Sequence, residues 1–128
     1  MSRALDDLHP AFRPIAFELL ARFTEAGLAV MVVDTLRTPE EHAANLAKGV
    51  SWTARSKHLD GLAIDVAPYD MYSLHGPDKL KWDASEPAWE RMGVIGERLG
   101  LRWGGRWQQK DLGHFEMPTK LVAPTIET

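Results

Sequence analysis

The sequence predicts an α+β domain, with helices packed on a small antiparallel sheet. Three observations predict it. Apolar residues recur every three to four positions over Ala11 to Ala26, the period of an amphipathic helix. The stretch L-A-I-D-V at 62–66 alternates, with Ala63 and Asp65 on one side and Leu62, Ile64 and Val66 on the other. The length of 128 residues suits one domain spanning 1–128. No repeat, low-complexity tract or interdomain linker divides it.

The elements follow in chain order. Phe12, Ile15, Leu19, Leu20 and Phe23 form the stripe of the first helix, and Gly27 ends it. L-A-V-M-V-V at 28–33 is short, apolar and β-branched, so a buried strand is expected, ending at Asp34. Thr38-Pro39-Glu40-Glu41 is a helix start: Thr38 caps, Pro39 takes the first turn and Glu41 closes a capping box. That helix is expected to reach about Lys48, before Gly49. Residues 50–60 are polar and irregular, then L-A-I-D-V reads as a strand. Pro68 to Pro87 reads as loop. Ser85 is the expected cap of a helix over 86–99, with Trp89, Met92, Gly96 and Leu99 as its stripe and Gly100 as its stop. Leu101 to Trp103 and Gly113 to Met117 read as two more strands. The tail 118–128 has no periodicity.

Composition narrows the function classes. Hydrophobic residues are 45% and charged residues 26%, the balance of an ordinary globular domain that buries roughly 65–70% of its unfolded surface. Lys plus Arg is 15 against Asp plus Glu at 18, so the net charge of −3 argues against a nucleic-acid partner. The longest apolar run, Leu28 to Val33, is far too short for membrane insertion. The first ten residues place two acids where a signal peptide needs its apolar core, so no export signal is expected. There is no Cys, so any metal must be held by His and carboxylate.

Two segments carry the chemistry: S-K-H-L-D-G-L-A-I-D at 56–65 and D-L-G-H-F-E at 111–116. A hydrolytic zinc site takes three protein ligands and leaves a fourth position for water. His58, Asp65 and His114 supply such a set. Asp65 sits mid-strand among apolar neighbours, where an unpaired carboxylate is expensive to bury and a metal removes the cost. Gly61 permits the turn that brings His58 back to Asp65. On spacing alone, three ordinary polar residues at strand ends explain the pattern too.

Both segments resemble the paired motifs of the LAS-type zinc peptidases. That group holds D-alanyl-D-alanine carboxypeptidases, D-Ala-D-Ala dipeptidases and phage L-alanyl-D-glutamate endolysins. The family pattern is S-x-H-x-x-G-x-A-x-D, then an acid three residues before a His. Ser56, His58, Gly61, Ala63 and Asp65 match the first, and Asp111 and His114 the second. W-G-G-R-W at 103–107 and L-R-T-P-E-E-H at 36–42 resemble flanking stretches of the endolysin branch. The likeness runs from about Leu8 to Met117. Two positions depart from it: His42 stands where the family commonly has Gln, and Gly113 where a Pro often precedes the second zinc His.

The resemblance implies a LAS or hedgehog-type fold with one Zn²⁺ per chain at the sheet, held by His58, Asp65 and His114. It implies Asp111 as the base that takes a proton from water. Glu116, two residues beyond His114, is the rival carboxylate or a group that orients a zinc His. Arg37 is expected to hold a substrate carboxylate or a developing oxyanion. Ser56 is expected to hydrogen-bond the substrate or to brace His58, and Trp103 and Trp107 are expected at the substrate, although aromatic residues more often fill cores. His9, His42 and His75 have no motif support and read as surface residues. The implied activity is hydrolysis of the peptidoglycan stem peptide by a monomer, foremost as an L-alanyl-D-glutamate endopeptidase. Such an enzyme is made in the host cytoplasm and reaches the wall at lysis. A D,D-carboxypeptidase or dipeptidase, and a zinc-bearing binding module without catalysis, are the alternatives.

Overall fold

A computed structural model describes residues 2–47, 57–69 and 86–118. Helix α1 runs Arg13–Glu25, strand β1 Val30–Asp34, helix α2 Pro39–Ala47 and strand β2 Ala63–Pro68. Helix α3 follows at Ala88–Arg98, then β3 at Arg102–Trp103 and β4 at His114–Glu116. Short 3-10 turns cover Leu5–Asp7, Lys57–Asp60 and Gly104–Arg106. The strands form one sheet in the order β1-β2-β4-β3, with every neighbouring pair antiparallel. This is the expected α+β class.

The two faces of the sheet do different work because side chains alternate along a strand. Ile64 and Val66 of β2 and Phe115 of β4 are fully buried beside Phe12, Ala16, Leu19 and Phe23 of the first helical region and Met92 of α3. The rings of Phe23 and Phe115 meet at 5.8 Å and 58°. Gly96 makes room for this contact, since a Cβ there would lie 2.5 Å from Phe115 Cδ2. The opposite face carries Asp65 and, paired across from it, His114.

The local signals at α2 act as the sequence implies. Glu41 N–H donates to Thr38 Oγ1 at 3.1 Å, and Thr38 N–H donates to Glu41 Oε1 at 2.9 Å, closing the capping box.

Two expectations need correction. β1 is not a buried strand: it lies at the sheet edge, and Met31 is 41% exposed. An apolar run fixes β propensity but not which strand gains a second neighbour. α3 begins at Ala88 rather than 86, with Pro87 at the capping position and no side-chain cap. Ser85, the expected cap, lies outside the described residues, as do Ser56 and His75. His42 falls within α2.

Candidate active site

His58, Asp65 and His114 come together although 56 positions separate the first from the last, and each offers a ligand atom within 4.8 Å of the others. β2 supplies Asp65 and β4 supplies His114, as direct cross-strand partners. The turn Lys57–Asp60 supplies His58. Gly61, at φ +70°, then redirects the chain into β2, and a Cβ there would lie 2.7 Å from the His9 nitrogen.

Both rings are oriented by their outer nitrogens. His58 Nδ1 lies 2.7 Å from the Thr35 carbonyl, which can only accept, so Nδ1 carries the proton. His58 Nε2 then faces Asp65 Oδ1 at 3.1 Å. His114 Nε2 donates to Glu116 Oε1 at 2.7 Å, which turns His114 Nδ1 toward the same Asp65 oxygen at 3.0 Å. Two imidazole nitrogens and one carboxylate oxygen thus converge, with the outer hydrogen bonds that metal-binding histidines need. This donor set fits Zn²⁺.

The electrostatics describe a site that wants a cation. Burial alone would raise the Asp65 pKa, but the charges and hydrogen bonds of His58 and His114 hold it well below the usual carboxylate range. Burial opposes a charge on His114, yet its bonds to Asp65 and Glu116 push its pKa up to about 10. In the metal-free protein, a proton on His114 therefore balances the carboxylates that a metal ion would otherwise neutralise.

Asp111 flanks this cluster. Its Oδ2 is 3.9 Å from His114 Nδ1, and its side chain is 41% exposed. Burial, then repulsion from Asp65, raises its pKa, while His114, His58 and Arg37 pull it back. Asp111 N–H donates to the Gly104 carbonyl, and a Cβ on Gly104 would sit 2.3 Å from the Asp111 carbonyl oxygen. Gly104 of W-G-G-R-W therefore lets the Asp111 backbone approach closely, while Gly105 leaves room for the Trp103 ring. Glu116 is 7% exposed and on the far side of the His114 ring, bonded to the nitrogen that faces away from Asp65. Of the two rival carboxylates, Asp111 is beside the converging donors and Glu116 is behind them.

Arg37 follows β1, and its backbone N–H donates to the His58 carbonyl. Its Nη2 and Nε donate to Asp34 Oδ2 at 2.8 and 3.3 Å. Asp34 is 2% exposed and gave no signal in the sequence, because a carboxylate at a strand end reads as a turn residue. Trp107 stacks at an angle against His114, with ring centroids 5.1 Å apart. Trp103 does not wall a cleft: it is 4% exposed, packs against Gly93 and Gly105, and donates Nε1–H to the Leu112 carbonyl at 2.7 Å. Its amphipathic ring suits such a core position, with the one polar atom satisfied. Gly113, at the family's frequent Pro, has its own packing reason: a Cβ there would approach the Val66 carbonyl oxygen to 2.7 Å. His9 is exposed, and its Nδ1 accepts from the Ala11 N–H.

Comparison with known proteins places this geometry in context. Residues 49–117 match the model of a family described as D-alanyl-D-alanine carboxypeptidase. The chain is 33% identical over 82 residues to the L-alanyl-D-glutamate peptidase of Listeria phage A118, covering 63% of this chain and 27% of that protein. It is 34% identical over 94 residues to the L-alanyl-D-glutamate peptidase of Escherichia phage T5, covering 67% and 64%. It is 29% identical over 129 aligned positions to the peptidoglycan L-alanyl-D-glutamate endopeptidase CwlK of Bacillus subtilis, covering 87% and 74%. The chain thus spans less than two thirds of either phage relative. The crystal structure of the Serratia marcescens L-Ala D-Glu endopeptidase ChiX superposes with a TM-score of 0.66 at 24% identity, over 88% of this chain and 82% of that one. That likeness supports the fold.

Proposed function

Because this chain belongs to the D-alanyl-D-alanine carboxypeptidase family, matched over residues 49–117, we propose that it is a zinc-dependent hydrolase of the peptidoglycan stem peptide. The observation that carries the reading is the convergence of His58 Nε2, Asp65 Oδ1 and His114 Nδ1, with Asp111 alongside. Bound zinc would lower the pKa of a water and polarise the scissile carbonyl.

The chain's own residues supply the rest. Asp111 takes the proton of the attacking water on a carboxylate oxygen and hands it to the leaving amine. Its raised pKa brings it closer to the range in which a carboxylate both accepts and returns a proton. Glu116 holds the His114 ring and the Thr35 carbonyl holds the His58 ring. Arg37, steadied by Asp34, presents a guanidinium to a substrate carboxylate. Trp107 forms a wall beside His114.

The bond cut is L-Ala–D-Glu in this reading, because three relatives along the chain carry that specificity in their names. The family description favours a second reading, removal of the terminal D-Ala. Mass spectrometry of a digest of purified peptidoglycan decides. New D-Glu N-termini, abolished by chelation and restored by zinc, are expected. Release of D-Ala alone would establish the carboxypeptidase reading instead. No helix among the described residues is long and apolar enough to cross a membrane.

A further inference from the structure

His58 is 1% exposed and is gripped twice by the segment after β1: Thr35 accepts from its ring, and Arg37 donates to its carbonyl. That segment has left the sheet, since the last β1–β2 pair is Asp34 with Asp65. Its backbone groups find partners in the first residues of the chain instead. Thr35 N–H donates to the Ser2 carbonyl at 2.7 Å, and Ser2 N–H donates to the Leu36 carbonyl at 3.2 Å. The Thr35 hydroxyl, fully buried, donates to the Ala4 carbonyl at 3.0 Å. Further along, His9 N–H donates to the Gly61 carbonyl at 3.0 Å, on the turn that carries His58 from the other side. Leu8, 1% exposed, anchors this stretch in the core, and the Arg13 guanidinium donates to the Asp6 and Leu8 carbonyls.

We propose that residues 2–9 form a strap that sets the zinc affinity of the site by fixing the two segments that clasp His58. The inference rests on the zinc reading above. The strap supplies none of the three donors; it acts through Thr35 and Gly61 and is a positioning element. A displaced Thr35 carbonyl frees the His58 ring to rotate and releases its tautomer. Loss of such outer partners typically weakens metal binding about 10- to 100-fold.

The test measures zinc affinity by competition with a chromophoric chelator, independently of turnover. Thr35→Val keeps the side-chain shape and removes the bond to Ala4; adding Ser2→Pro removes the donor to Leu36. The zinc Kd is expected to rise about 10-fold in the single variant and toward 100-fold in the double. The hydrogen-bonded Nδ1–H resonance of His58 in the metal-free protein should broaden or vanish in parallel. Leu20→Ala, in α1 and outside residues 2–9, should lower Tm while leaving the Kd at the wild-type value. A wild-type Kd in Thr35→Val overturns the proposal, and this variant decides alone if the double does not fold. So does an equal loss of zinc affinity in Leu20→Ala, which would trace the effect to general loosening. A wild-type protein that takes up no zinc removes the strap and the zinc reading together.

Discussion

The two sides of the site are built to different rules. On one side, His58 and His114 are 1% and 5% exposed, and each ring nitrogen that points outward is bonded to a fixed acceptor. On the other side, Asp111 leaves 41% of its side chain exposed, on the loop between β3 and β4. In the function proposed above, the buried side would hold a cation, and the open side would admit a peptide and move protons. A ligand needs one geometry, whereas a base needs access to water, so rigidity and exposure are divided between them.

The largest expected effect breaks the buried side. His114→Ala removes one of three donors and leaves Asp65 and Glu116 without their shared partner. Metal analysis should find about one zinc per wild-type chain and none in the variant, with activity lost. Equal zinc in both proteins would remove His114 from the ligand set.

The next effect separates the sides. Asp111→Asn keeps shape and loses the ability to accept a proton. It should keep its zinc and lose roughly 10²-fold or more in kcat. Glu116→Gln should do the reverse: a zinc Kd weakened about 10- to 100-fold, with most of kcat retained at saturating zinc. An inactive, zinc-replete Glu116→Gln beside an active Asp111→Asn would exchange their roles.

How much of this was legible depended on where the information resides. The candidate ligand set stood in the paired motifs and their resemblance to a known family, since spacing alone left ordinary polar residues open, whereas the capping box stood in the identity and spacing of Thr38 and Glu41 themselves. The glycine pair at 104 and 105 was visible as a motif, but its reasons, the close approach of the Asp111 backbone to Gly104 and of the Trp103 ring to Gly105, were not. The Thr35 carbonyl leaves no mark on the sequence at all, because any residue there has one. Its partner Ser2 is 33 positions away and bonds through backbone. Trp103 was misplaced for a related cause. An aromatic residue beside a site motif suits a cleft as well as the core it more often fills, and the packing against Gly93 and Gly105 decides for the core.

A smaller effect tests the open side at Arg37. D-Glu joins the stem through its γ-carboxyl, so its α-carboxylate lies free beside the L-Ala–D-Glu bond. Where that group is amidated, an enzyme gripping it with Arg37 loses a charge-assisted pair of roughly 1.5–3 kcal/mol. Cleavage of amidated stems should fall about 10- to 100-fold, since each 1.4 kcal/mol is tenfold. Arg37→Ala should erase most of that difference. Asp34→Asn should erase part of it, chiefly through KM, because Asp34 Oδ2 receives two of the guanidinium's bonds. A time course on matched free and amidated peptides measures all three proteins. Equal wild-type rates on both peptides would end the role given to Arg37.

The smallest effect lies one residue further on and tests whether closeness to the site is enough to matter. Thr38 directly follows Arg37, but its hydroxyl is committed to the Glu41 N–H and its own N–H to the Glu41 carboxylate. It serves the start of α2, not the guanidinium. Thr38→Ala should therefore cost the stability of a lost cap, about 1 kcal/mol. For a chain of this size that lowers Tm by roughly 3–6 °C. The zinc Kd should stay at the wild-type value, and the ratio of rates on free and amidated stems should move less than about twofold, far below the tenfold that 1.4 kcal/mol would bring. Calorimetry and the same peptide time course check both halves. If Thr38→Ala collapses the amidation ratio as Arg37→Ala does, then the capping box also aims Arg37. The open side would then be as rigidly supported as the buried one, and the division between them would fail.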